Sequence, residues 1–181
     1  MADSAGTSDS ADSSAAKRSS PVSSDADRSP GVGSPGAQLR VDFYVLEEAS
    51  VTARLRLGCK LAEKAYLSAQ RALVRLSDAQ ELGAFDELLW TFMEGSFVPH
   101  DVPGASAADE APVLLSTGAP PPGAFDIIIN LAPDIPGGLE QTRRVAEIVD
   151  GEETRRRAGR SRFKAYRELG VVPASHNIRA E

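Results

Sequence analysis

Alternating polar and apolar residues open at Arg40–Leu46 (RVDFYVL) and become continuously apolar, which predicts a strand buried on one or both faces. Residues 47–50 carry a turn. Helical spacing follows over residues 52–66, with Leu55, Cys59, Ala62 and Tyr66 on one face. Residues 71–76 (RALVRL) read as a second strand. Ser77 or Asp78 caps the next helix, and Glu81 stands three residues after Asp78 as in a capping box. That helix runs to about residue 93, with Leu82, Phe85, Leu89 and Phe92 as its apolar stripe. Residues 96–100 (SFVPH) form an extended segment broken by proline, and residues 101–111 form a loop. Residues 112–116 and the β-branched run at 125–132 (FDIIINLA) are further strands. Arg144–Val149 is read as a strand and residues 151–168 as the last helix, ended by Gly170. Residues 171–181 read as an extended tail. This order of strands and helices predicts one α/β domain of three layers.

The last helix is unlike the others. Asp150 is the expected N-cap, and Glu152 and Glu153 suit the positive helix end. At 100° per residue, Arg156, Arg160, Phe163, Lys164 and Arg167 share one stripe. Ala158, Ser161, Ala165 and Leu169 share another, which is expected to pack on the sheet. Cations around an aromatic suit a ligand with acidic groups and an apolar anchor, protein or nucleic acid.

Composition sharpens that reading. The chain has 181 residues with a formal net charge of −6, so it has no global field to draw nucleic acid, and any such binding needs a local basic patch. Residues 1–38 are rich in Ser, Ala, Asp, Gly and Pro and are expected to be a disordered tail. Gly31, Gly33 and Gly36 match G-x-G-x-x-G there, but without the preceding strand and following helix that a dinucleotide site needs. No apolar run is long enough for a membrane span, and no secretory signal is visible.

Catalytic chemistry is hard to assemble from these residues. The single cysteine, Cys59, lies on an apolar helix face, and the only histidines are His100 and His176. No nucleophile elbow, Walker motif or H-E-x-x-H is present. Glu47 and Glu48 occupy the turn after the first strand, where carboxylates would repel a phosphate. Neither a cofactor nor a metal is expected.

Five blocks occur in order: VDFYVL at 41–46, DELLW at 86–90, SFVPH at 96–100, FDIIINL at 125–131 and RFKAYR at 162–167. Together they resemble the chi subunit of bacterial DNA polymerase III over residues 41–170. The resemblance implies a Rossmann-like domain at 39–170 with a central, mainly parallel sheet and no nucleotide site. It implies a non-catalytic, cytoplasmic accessory role at the clamp loader, with DNA reached only indirectly. The implied partner is the acidic C-terminal tail of single-stranded DNA-binding protein, which ends in an aromatic residue. Phe163 and Lys164 carry over through the KAYR block, Arg156 and Arg160 by backward helical spacing, and Val149 as a wall of the pocket. A second implied surface, for the psi subunit, falls near Trp90 and Phe97. The competing reading is direct single-strand binding by the same basic helix.

Overall fold

The computed structural model describes residues 38–105 and 110–179. The expected tail up to residue 37, its G-x-G-x-x-G and part of the 101–111 loop lie outside these described residues. The chain forms β1 (Arg40–Leu46), α1 (Val51–Leu67), β2 (Ala72–Arg75), α2 (Ala79–Thr91), β3 (His100–Asp101), β4 (Val113–Ser116), β5 (Ile127–Asn130), β6 (Arg144–Val149), α3 (Glu153–Glu168) and β7 (Ala174–Ile178). A short 3-10 turn, Leu139–Gln141, precedes β6.

Among the described residues seven strands make one sheet in the order β3-β4-β2-β5-β6-β1-β7, and every pairing is parallel. Parallel neighbours require crossover connections, which place helices over the faces and leave the inner strands buried. Residues of β2, β4 and β5 are accordingly buried without alternation. Alternate side chains of β1 serve two cores. Leu46 packs with α1 and α2, joined by Leu55, Cys59, Phe85 and Leu89. Val41 and Phe43 pack on the opposite face with Val149 of β6 and Tyr166 of α3. Burial pushes the Cys59 thiol up to about 12, so it is inert packing material.

The capping box at α2 is present. Asp78 accepts from the Glu81 amide, while Glu81 reaches back to the Ser77 amide at 2.9 Å and also pairs with Arg54 of α1. The cap of α3 differs from expectation. Glu152 is the N-cap and accepts from the Thr154 and Arg155 amides, because Asp150 is wholly buried and held by Arg155 at 2.6 and 2.7 Å.

The C-terminal segment also differs. Residues 174–178 are extended as expected, but they are hydrogen-bonded alongside β1 as the edge strand β7. Their side chains alternate between exposed and half-buried, so little apolar pattern marks them.

Adjacent strands β1 and β6 send their helices to opposite faces, α1 to one and α3 to the other. In open α/β sheets that switch point is the usual ligand crevice. Here backbone fills it. The Gly151 amide donates to the Glu48 carbonyl at 2.8 Å, and a Cβ on Gly151 would lie 2.7 Å from the Ala49 nitrogen and the Glu47 oxygen. Glycine is required because the two turns touch main chain to main chain.

A candidate peptide-binding cavity under α3

Helix α3 does not pack through the predicted stripe of Ala158, Ser161, Ala165 and Leu169. Its inward positions are Gly159, Arg162 and Tyr166, whereas Ser161 and Leu169 are exposed and Ala158 and Ala165 only partly covered. The reason is Glu147 on β6, which is fully buried and accepts from Arg162 (2.7 Å), the Tyr166 hydroxyl (2.8 Å) and Asn130 (3.0 and 3.1 Å). Burial pushes the Glu147 carboxyl up, opposed by the Arg162 charge and by these donors. A buried guanidinium and phenol therefore face the sheet, each with a partner that satisfies it.

That rotation sets the rest of the helix. Gly159 sits directly over Val149, where an added Cβ would come within 2.9 Å of Val149 Cγ2. The close approach opens a cavity of about 250 Å³ beside it, lined by Phe43, Val45, Val149, Arg156, Gly159, Arg160, Phe163 and Ser175. Its floor is apolar. The Phe163 and Phe43 rings pack 5.3 Å apart at 58°.

Two guanidiniums line the same cavity. Arg156 donates to the Glu47 carbonyl at 3.3 Å, and its buried Nε has no partner among the described residues. Arg160 is largely exposed and pairs with Glu153 at 3.0 Å, a surface pair that contributes little and leaves the cation available.

The predicted residues thus separate. Val149, Arg156, Arg160 and Phe163 come together around the cavity. Lys164 and Arg167 do not line it; Lys164 is exposed beside Glu168 at 3.7 Å, and Arg167 is exposed in the last turn. Phe43, Val45 and Ser175 were missed. Strand alternation places Phe43 and Val45 on one face, but no sequence signal says that α3 covers that face. Ser175 requires knowledge of β7.

Trp90 and Phe97 also come together, at the opposite layer. Their rings lie 5.0 Å apart, and Trp90 is 51% and Phe97 60% exposed. His100 packs against Trp90 and holds Asp86 at 3.0 Å. Trp90 is therefore a surface residue and not core.

Comparison with known proteins agrees with this architecture. A protein from Pseudomonas aeruginosa, "DNA polymerase III subunit chi", is 39% identical over 139 residues, which are 77% of this chain and 96% of that one. Its Escherichia coli counterpart of the same name is 29% identical over 133 residues, 71% of this chain and 90% of that one. Among solved structures, T4 UvsW superposes with a TM-score of 0.56 at 10% identity, over 78% of this chain and 42% of that one, a likeness of fold alone. Residues 39–174 match the family described as DNA polymerase III chi subunit, HolC. They run from the residue before β1 to the first residue of β7, and so the chain belongs to the DNA polymerase III chi subunit family, with a replication accessory role and not that of a catalytic subunit.

Proposed function

We propose that the α3 cavity holds the acidic C-terminal tail of single-stranded DNA-binding protein and thereby links that protein to the polymerase. The observation that carries this reading is one apolar floor, Phe43, Val149 and Phe163, meeting two guanidiniums, Arg156 and Arg160. An aromatic end group buries on the floor, while tail carboxylates and the terminal carboxylate pair with the arginines. Phe163 is packed on Phe43, which favours a pocket wall over an open stacking platform for bases on this helix.

The test is the anisotropy of a fluorescein-labelled Asp-rich peptide ending in phenylalanine. Binding that weakens in Arg160→Ala and Phe163→Ala, and falls with added salt, supports the site. Equal affinity in wild type and both variants overturns it.

The exposed Trp90–Phe97 pair supports a second attachment, to a psi-type partner and through it the clamp loader. Co-purification with such a partner should be abolished in Trp90→Ala. Among the described residues no helix is long and apolar enough to cross a membrane. The proposed place of work is the cytoplasmic replisome.

A further inference from the structure

Asp42, Tyr44 and Leu46 of β1 share a sheet face with His176 and Ile178 of β7, and this face lies opposite the α3 cavity. The β1–β7 edge of that face is partly open: Tyr44, His176 and Ile178 are all half-buried. Tyr44 and His176 are cross-strand partners with stacked rings, 5.2 Å between centroids and 28° between planes. Both rings are held in place. His176 Nε2 is 3.0 Å from Asp42, and Arg144 donates to Asp42 at 2.9 Å and to the Tyr44 hydroxyl at 2.6 Å. Arg40 also donates to Asp42, at 3.0 Å, and the carboxylate is fully buried beneath these groups. Rings and cations are what this end of the edge presents.

The next cross-strand pair, Leu46 and Ile178, opens into a groove of about 490 Å³ that Leu57 and Phe92 also line. Arg56, Lys60 and Arg179 are its charged lining. Arg179 pairs with Glu47 at 3.3 Å, while Arg56 and Lys60 project from α1 into solvent.

We propose that this edge binds single-stranded nucleic acid. Arg40 and Arg144 stand at Asp42 on one side of the ring pair, and Arg56, Lys60 and Arg179 line the groove at Leu46 and Ile178 on the other, so phosphates can be held on either side of the rings. His176 stands on the edge strand with its side chain 41% exposed and Tyr44 against one ring face, so its outer face is where a base stacks without regard to sequence. An acidic peptide would use the cations but leave the stacked pair unemployed, so nucleic acid is the better match. At about 3.3 Å per residue the length of β1 spans about 23 Å, suited to a short site of about four nucleotides. The local patch overcomes the chain's net negative charge only at short range, so binding should be weak and strongly salt-dependent.

The experiment is the anisotropy of a fluorescein-labelled oligothymidylate at low salt, with full-length protein. Wild type should bind. The double variant Arg56→Glu/Lys60→Glu changes two exposed positions, leaves the fold intact by circular dichroism, and should weaken affinity roughly tenfold or more. It should also flatten the salt dependence, by about 0.7 in the log–log slope for each phosphate no longer neutralised. His176→Ala should weaken binding roughly tenfold through stacking. Arg160→Ala, in the α3 cavity, should bind the oligonucleotide like wild type, so the two sites fail or stand separately. Absence of binding by wild type, or wild-type affinity in the double variant, overturns the proposal. So does a double variant that no longer binds the acidic peptide but keeps the oligonucleotide, because the edge would then be a peptide surface.

Discussion

Tyr166 donates its hydroxyl proton to Glu147 at 2.8 Å, and neither residue touches solvent. Arg162, one helical turn earlier, donates to the other oxygen of the same carboxylate. One strand residue therefore fixes the rotation of α3. Glu147→Ala would leave Arg162 buried without its partner, at a cost of about 3–5 kcal/mol. Tyr166→Phe removes one charge-assisted bond and should cost about 1.5–3 kcal/mol. Urea unfolding measures both, and a Glu147→Ala midpoint equal to wild type would refute the assignment.

Gly159 is predicted to be indispensable in spite of helix propensity. Alanine in a helix interior normally gains about 1 kcal/mol over glycine. Here the new methyl would press on Val149, a stiff β-branched side chain, at 2.9 and 3.3 Å. Gly159→Ala should lower the melting temperature and weaken binding of the acidic peptide, and a second change, Val149→Ala, should restore part of the stability by making room. Stabilisation by the single substitution would contradict the packing described.

Lys164 and Arg160 should differ although both stand on one cationic stripe. Arg160 lines the cavity and Lys164 does not. Arg160→Ala should cost about 1.5–3 kcal/mol of peptide affinity, and Lys164→Ala well under about 1 kcal/mol. Reversed magnitudes in the anisotropy titration would shift the site along the helix.

Acid should loosen the β7 edge. Burial alone would raise the Asp42 carboxyl, but hydrogen bonds from His176, Arg40 and Arg144 outweigh it and hold it below its ordinary 3.8. Its contribution is complete above 3.8 and fades as pH falls through the depressed folded value. Glu147, shifted upward, works in the opposite sense. Acid unfolding followed by circular dichroism should therefore be less steep below pH 3.8 in Asp42→Asn than in wild type; an equally steep transition would show that Asp42 plays no part in it.

The single tryptophan, Trp90, reports on the α2 surface. Half-exposed against Phe97, it should be readily quenched by acrylamide, and more so in Phe97→Ala. A partner that covers this pair should shift the emission to shorter wavelength and protect it from quenching.

The layers of the fold were legible because β1, β4, β5 and α2 bury apolar residues at the period their structure requires. Strand β7 was not, since ASHNI is held from one side and buries little. The inward face of α3 was misread for a different reason. Arg162 and Tyr166 look like surface residues until Glu147, 15 and 19 residues earlier, is known to lie beneath them. Periodicity sees hydrophobicity and is blind to a buried ion pair. The same limit applies to Asp150, whose capping role passed to Glu152 once Arg155 claimed its carboxylate. For the cavity, the helix half was legible from charge and spacing, while the strand half needed the packing of α3 on β1.

The touching turns at Gly151 and Glu48 have a mechanical consequence. A doubly wound sheet usually gains its moving parts at the switch point, where a cleft can open and shut around a ligand. Here a main-chain hydrogen bond ties the two turns together across that cleft, which opposes such opening. Ligands held on opposite faces should bind with additive free energies, and the domain then acts as a strut that sets the distance between them.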